Sequence, residues 1–479
     1  MPHRDPGRVF QVLHHHPAVR ALVRAAAAEG VESHLVGGIL RDRLLGLPSR
    51  DLDGAVSDRG AAVGRRMADE LDARLVHLGG RDWGAYRLVG RPAAPSPAGP
   101  FRIDGAADER AAPWVLDLWD REGSSLEQDL ARRDFTVNSL ALPLPGGGLV
   151  DPHGGLADLR HRLLRATTPQ SFTGDPLRVL RLPRLLVQLP GFAPEPVTLA
   201  LAREAAPGLA AVASERVREE LALLFAQPDA HRGVAVLGTL DLYPGLWLGR
   251  PGEPAAEPGI LGRLCGELVR LAPAALRLRE LAGGSLPFPV RHRLARLALT
   301  FAHLEPAPDA GRGPGRGAEP GEAAAQGILR VTEAGYLTKK DAGAVARVVP
   351  WRRLPGDGAG RRRFLHRLGG LWTTAACYAG ARAAGSAEGE SWERAVAALV
   401  ELYRRKGPEI LEPPRLLDGR EVAEILGIEP GPEVGEALRA LKWAQVEGRV
   451  TTRAEAVALV VGLSPSGRSP SSPPPGSAG

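Results

Sequence analysis

LVGGILRDRLLGLPSRDLDGAV, residues 35–56, holds the pattern on which the fold turns. With the two residues before it, Ser33 to Val36 reads as a short strand that Gly37-Gly38 break. Ile39 to Leu45 follows as a helix, and Gly46 with Pro48 leads into a second strand, Asp51 to Val56. Asp51 and Asp53 alternate with Leu52 on that strand, so both carboxylates leave the same face. Like charges so placed repel unless a cation lies between them, and an all-oxygen ligand set suits Mg²⁺, which also takes substrate phosphate oxygens. Upstream, Gly37 and Gly38 let the backbone approach a ligand closely, and the free N–H groups of the helix after them favour a triphosphate. Arg41, one turn into that helix, adds a charge-assisted contact. An isolated Asp-x-Asp reads as a solvated strand end; strand, Gly-Gly, helix with Arg-Asp and strand with Asp-x-Asp points to nucleotidyl transfer.

Outward from this stretch, residues 8–30 read as an apolar-periodic helix ended by Gly30, with His14-His15-His16 as a solvated turn rather than a metal site. Residues 60–90 supply a helix and two strands, Ala73 to His77 and Tyr86 to Val89. Residues 91–113 read as a mobile Pro/Ala/Gly-rich loop, and Trp114 to Trp119 as a further strand, so the first 150 residues are expected to be α/β. From Gly155 the periodicity is helical and the strand runs stop, which predicts an all-α remainder. Glu305 to Gln326, which contains GRGPGRG, and Ser464 to Gly479 are expected to be unstructured.

The chain of 479 residues is long enough for about three domains at ~150 residues each. Gly (59) and Pro (43) are abundant, yet hydrophobic residues make up 44%, which describes a folded chain with long loops and excludes a disordered one. Cys265 and Cys377 are the only cysteines, which excludes a disulfide framework, a disulfide-linked partner and a Cys-rich zinc module, and makes a reducing cytoplasm the expected location. MPHRDPGRVF at the start has no apolar core, and no apolar run reaches the ~18 residues of a membrane span, so neither export nor a membrane is expected. The net charge of +6 permits an anionic partner without identifying one, and the arginine excess reads as the mark of a GC-rich genome. Nothing in the sequence sets an oligomeric state.

The series in 35–56 resembles the signature of the polymerase-beta nucleotidyltransferase superfamily, and within it the class II CCA-adding tRNA nucleotidyltransferase and bacterial poly(A) polymerase family. Later segments agree in order. LEQDLARRDFTVNSLAL (126–142) is similar to that family's ribose-binding motif, DPHGGLADLRHRLLRA (151–166) to its head–neck link, and GDPLRVLRLPRLL (174–186) to its nucleobase-reading helix. SERVREELALLF (214–225) resembles the next neck motif, and residues 416–456 resemble the C-terminal helical segment. The resemblance implies a polymerase-beta-like mixed sheet with helices, followed by an all-α neck, body and tail. The expected divisions are a catalytic head at 1–150, a neck at 151–230, a body at 231–400 with an insert near 305–326, an RNA-binding tail at 401–463 and a disordered end at 464–479. It further implies that Gly38 and Arg41 contact the nucleotide, that Asp51 and Asp53 are catalytic and hold Mg²⁺, and that Arg133, Asp134 and Asn138 lie against sugar and phosphates. Asn138 is the only asparagine in the chain. Asp117, in WVLDLW, is open to two readings, a third carboxylate or a structural strand-end residue.

The base-reading role has a chemical basis. Asp175 and Arg178, read as i, i+3 neighbours on one helix, present an acceptor beside a donor fork. Cytosine and adenine each offer an amine beside a ring-nitrogen acceptor, whereas uracil and guanine put carbonyl oxygens against the carboxylate. Asp175 before Pro176 also suits a helix cap, which is compatible with that role. The family places further arginines at Arg181 and Arg184, the latter reaching phosphate or a neighbouring domain. Pro183 is expected to kink the helix, and Gly174 stands where an acidic residue is usual. RLARLALTFAHLEP (293–306) lacks the His-Asp pair of a metal phosphohydrolase domain, so no such activity is expected. The function implied is addition of C and A from CTP and ATP to the 3′ end of tRNA, held through its acceptor region. Poly(A) polymerase, an A-only or CC-only enzyme, and an inactive RNA-binding relative are the alternatives; Asp51 and Asp53 speak against the last.

Overall fold

The computed structural model describes residues 13–47, 49, 51–78, 84–90, 114–121, 124–243, 259–303, 322–384 and 386–463. They fall into two compact units, residues 1–220 with 239–242, and residues 221–238 with 243–479. The expected loop at 91–113 and the expected unstructured end at 464–479 lie outside the described residues.

The first unit is built on a six-stranded mixed sheet. Helix α1 (Pro17–Glu29) follows a break at His15-His16 where the periodicity predicts one continuous helix, with Leu13 and His14 helical before it and residues 8–12 outside the described ones; Pro17 opens it and the Nδ1 of His16 accepts from Ala18 N–H at 3.2 Å as its cap. It ends at Gly30, whose φ of +68° closes the last turn. Strand β1 (Ser33–Val36), helix α2 (Gly38–Leu45) and strand β2 (Asp51–Val56) follow where residues 35–56 predicted them. Next come α3 (Gly60–Leu71), β3 (Arg74–His77), β4 (Ala85–Gly90), β5 (Trp114–Asp120), α4 (Leu126–Ala131) and β6 (Ala141–Leu144). The sheet order is β3-β4-β5-β2-β1-β6. β2 runs parallel to β5, and the other pairs are antiparallel. A parallel pair needs a crossover, which α3 and the β3-β4 hairpin supply. Helices α1 and α3 pack together, burying Leu22, Val63 and Met67. Gly54, in the middle of β2, admits that layer: a Cβ there would lie 3.1 Å from Leu22 Cδ2. β6 lies beyond the sequence expectation, since ALPL carries Pro143, which a strand tolerates only at a sheet edge, where β6 sits.

Beyond residue 155 the described residues are mainly helical, as expected, apart from a two-residue parallel pair, β7 (Leu163–Leu164) with β8 (Ala193–Pro194), and a bridge from Ala166 to Phe135. Helices α5 (Gly155–His161), α6 (Ser171–Gly174), α7 (Arg178–Gln188) and α8 (Pro196–Ala205) lead to α9 (Ser214–Ala226). α7 runs through Pro183, the expected kink position, to Gln188. An interior proline costs ~3 kcal/mol, but Leu180, Leu182, Leu185 and Leu186 are all buried, at roughly 1.5–3 kcal/mol each.

The second unit holds α10 (Ala230–Thr239), α11 (Ile260–Leu281), α12 (His292–Ala302), α13 (Glu322–Glu333), α14 (Lys339–Val348), α15 (Gly358–Leu368), α16 (Trp372–Ala383) and α17 (Gly389–Leu411). Its core is α16, buried on nearly every face among α11, α12 and α17. α18 (Gly419–Leu426), α19 (Pro432–Glu447) and α20 (Arg453–Gly462) share a smaller apolar cluster around Val422, Leu441 and Val460. The stretch expected to be unstructured at 305–326 ends in a helix, since α13 starts at Glu322; residues 304–321 lie outside the described ones. Among the described residues no helix is long and apolar enough to cross a membrane.

Candidate active site

A cavity of about 1510 Å³ opens in the first unit, between the sheet and helices α7 and α9. Gly37, Gly38, Arg41, Asp53, Arg133, Asp134, Asn138, Asp175, Arg178, Arg181 and Arg184 all line it. Asp51 opens β2 opposite Val115; its side chain lies outside the described ones.

Gly37 is the hinge of the site. Its φ of +77° belongs to the left-handed region, and its N–H donates to Leu140 O at 3.1 Å, so the chain turns sharply from β1 into α2. A Cβ on Gly37 would lie 2.9 Å from Arg133 Nη1 and 3.1 Å from Asp53 Oδ2. A carboxylate of the Asp-x-Asp strand and an arginine of the later motif therefore converge over the missing side chain. Parallel register sets Asp117 directly beside Asp53. Asp117 is gripped by Arg87, whose Nε and Nη2 each donate to one of its oxygens at 2.7 Å.

Arg133 and Asp134 follow α4, whose start is fixed by a reciprocal cap between Ser125 and Gln128. Arg133 pairs with Asp129 at 3.3 Å. From Arg41 a buried polar chain runs across the site. Arg41 donates through Nε to Asp42 at 2.8 Å and through Nη1 to Asn138 Oδ1. Asn138 Nδ2 donates to Asp134 Oδ1 at 2.9 Å, and Asp134 Oδ2 faces Arg181 Nη2 at 3.0 Å. The amide of Asn138 suits this place because it accepts from a cation and donates to an anion at once. Burial works to raise the Asp134 carboxyl, but Arg181 and the donors from Asn138 and Phe135 outweigh it and hold the group below its ordinary value. Burial raises the Asp42 carboxyl in spite of Arg41.

The base-reading pair is arranged differently from the sequence expectation. α7 begins at Arg178, and Asp175 lies ahead of it in extended backbone, φ −148°. Asp175 Oδ1 accepts from Leu177 N–H at 3.3 Å, a loose form of the expected cap, and Oδ2 accepts from Arg216 Nη2 at 3.0 Å. Arg178 Nη1 donates to Ser171 O at 2.9 Å and Nη2 to Arg132 O at 2.6 Å. Of its five N–H groups, three remain. Arg184 pairs with Glu220 of α9 and donates to Gln188 at 2.9 Å. The Nε atoms of Arg133, Arg178 and Arg181 are buried without a hydrogen-bond partner. Such donors, in a cleft also lined by Asp53 and Asp117, suit an anionic ligand carrying a cation.

Lining residues that the sequence reading did not single out include Asp42, Arg87, Asp129 and Arg216. Asp42 follows Arg41 directly and is readable as its partner. Arg87 is identified only by its register opposite Asp117, and Arg216 only by the packing of α9. In the second unit, His303, in the segment lacking a His-Asp pair, bonds Glu267 at 2.8 Å, which also accepts from Arg382.

Residues 33–165 match the family described as Poly A polymerase head domain, and residues 191–247 the one described as probable RNA and SrmB-binding site of polymerase A. The A-adding tRNA nucleotidyltransferase of Deinococcus radiodurans is 35% identical over 89% of this chain and 94% of its own length. The CC-adding tRNA nucleotidyltransferase of Geobacter sulfurreducens is 30% identical over 92% of this chain and 94% of its own. The fold is shared with the Thermotoga maritima CCA-adding enzyme solved in complex with tRNA, at a TM-score of 0.59 and 20% identity, over 96% of this chain and 99% of that one. By these relatives and by the motifs that meet in its cleft, the chain belongs to the tRNA nucleotidyltransferase and poly(A) polymerase family.

Proposed function

We propose that this nucleotidyltransferase extends the 3′ ends of tRNA with C and A from CTP and ATP, in the cytoplasm. One observation carries the reading: Asp53 and Arg133 converge over Gly37 in the same cleft that Asp175, Arg178, Arg181 and Arg184 line. The tRNA 3′-hydroxyl attacks the α-phosphorus in line, and pyrophosphate leaves. Asp53, with Asp51 beside it in sequence, supplies hard oxygen ligands for Mg²⁺, which when bound lowers the pKa of the attacking hydroxyl and stabilises charge on the attacking and leaving oxygens. Gly37, Gly38 and the free N–H groups opening α2 receive the triphosphate, and Arg133 offsets its charge. Arg41, Asn138 and Asp134 hold the sugar side of the site in place. Asp175 accepts from the exocyclic amine of C or A, and Arg178 offers a remaining N–H to the ring nitrogen beside it. Arg181 and Arg184, paired with Asp134 and Glu220, complete the wall behind the base.

In this reading residues 1–150 form the catalytic head, 151–230 the neck, 231–400 the body and 401–463 the tail. The helical remainder holds the acceptor region of the tRNA through phosphate and shape contacts. A second reading, an enzyme restricted to A or to CC, is favoured by the relatives that span nearly the whole chain, which are named A-adding or CC-adding. One experiment separates them: incubation with tRNAs ending before CCA, after CC, or complete, with each NTP supplied alone and together. Extension by CCA is the expected result. Extension only of the CC-ended tRNA by A marks an A-adding enzyme, a stop after CC marks a CC-adding one, and long A tracts mark a poly(A) polymerase. No extension of any acceptor would overturn the proposal.

A further inference from the structure

Asp175 must present an acceptor in a fixed direction if it is to tell C and A from U and G, yet its own backbone gives it little support. It lies outside α7 in extended conformation, after Gly174, around whose Cβ position nothing stands within 4 Å. An aspartate χ2 is a broad, two-fold torsion, so an unrestrained carboxylate would swing and blur the edge it offers. Arg178 does not supply the restraint, because its two terminal nitrogens donate to the Ser171 and Arg132 carbonyls. The bond from Leu177 N–H, at 3.3 Å, is longer than the usual range. What remains is Arg216, whose Nη2 donates to Oδ2 at 3.0 Å from the first turn of α9.

We propose that Arg216 is a positioning residue for base selection: it fixes the plane of the Asp175 carboxylate and thereby sets which lone pairs meet the incoming base. This rests on the reading of Asp175 as the base acceptor. The pair is open to the cleft, with side-chain exposures of 53% for Arg216 and 27% for Asp175, so a nucleotide reaches the carboxylate while the arginine still holds it. An ion pair so exposed adds little to stability, so substitutions at Arg216 leave a folded protein in which selection is read directly.

The test measures single-nucleotide incorporation into tRNA with each of the four NTPs for the full chain, Arg216→Ala, Arg216→Lys and Asp175→Ala, with thermal unfolding of each. In Arg216→Ala, kcat/KM for CTP and ATP falls ~10-fold while UTP and GTP hold, so the preference ratio collapses; one hydrogen bond to a charged group is of that size. Arg216→Lys recovers part of the ratio, and the unfolding temperature does not move. If all four nucleotides slow by the same factor in Arg216→Ala while Asp175→Ala alters the ratio, Arg216 has no part in selection. If Asp175→Ala also leaves the ratio unchanged, the reading of Asp175 fails and this proposal fails with it.

Discussion

The two walls of the cleft reach opposite charge by opposite means. On the sheet, Asp53 and Asp117 stand side by side because parallel register puts them there, and the Arg87 guanidinium from the next strand offsets part of their like charge. On α7, Arg181 and Arg184 stand one helical turn apart, and each meets a carboxylate of the protein itself, Asp134 or Glu220. The arginines of α7 are thus tied into the packing by partners far along the chain, whereas Asp117 is held by Arg87 on the neighbouring strand and Asp53 lies beside Gly37 in the cleft. Substitutions on the acidic wall should strike chemistry and spare the fold; those beneath the arginine wall should strike the fold.

The largest effect is expected at Asp53. Asp53→Asn removes a hard oxygen ligand and its charge, which costs several kcal/mol of transition-state stabilisation, on the order of 10⁴-fold in rate. Single-turnover incorporation of CTP and ATP would show this, with the unfolding midpoint unchanged; retained turnover breaks the assignment of the acidic wall. Asp134→Ala comes next and acts differently. It leaves Arg181, a third of whose side chain is exposed, without its partner and removes the buried carboxylate that Asn138 and Phe135 donate to, a loss of about 2 kcal/mol in unfolding by urea. A midpoint equal to that of the full chain would mean the arginine wall is not tied into the packing through Asp134.

Gly37→Ala tests the seam between the walls. A side chain there is held at φ +77° and ψ −142°, a region essentially confined to glycine, at roughly 1–3 kcal/mol, and its Cβ lies 2.9 Å from Arg133 Nη1. KM for both nucleotides should rise through displacement of Arg133, and an unchanged KM would remove Arg133 from the triphosphate side. The smallest effect is in acid. The Asp134 carboxyl is held below its ordinary 3.8, so the stability it contributes is complete above that pH and is lost as pH falls from there through the lower folded value. Urea titrations below pH 3.8 should therefore show a steeper loss in the full chain than in Asp134→Asn.

The acidic wall was legible in the sequence and the arginine wall only in part, for a physical reason. Residues 35–56 encode the turn, the helix and the Asp-x-Asp strand by local means, glycine backbone freedom and period-two alternation, and the elements fall where those rules put them. The arginines were recognised by resemblance, but their partners lie far along the chain: Arg181 meets Asp134, Arg184 meets Glu220, and Asp175 meets Arg216. No local periodicity encodes such pairs. The start of α7 after Asp175 was missed, since Asp175 takes extended backbone and is bonded to Arg216 of a later helix. β6 was missed because edge strands tolerate proline, and the Pro143 signal points away from a strand.

The division of labour between the walls is tested most directly by one comparison: incorporation of all four nucleotides into tRNA by Asp53→Asn and Asp175→Ala side by side. Asp53→Asn should lose every nucleotide by the same large factor and keep its preference for C and A in whatever turnover remains. Asp175→Ala should keep turnover, lose roughly 1–3 kcal/mol with CTP and ATP, and gain relative tolerance of UTP and GTP. A uniform loss across the four nucleotides in Asp175→Ala would contradict the account, because the carboxylate would then be a cap for the turn into α7 and no reader of bases.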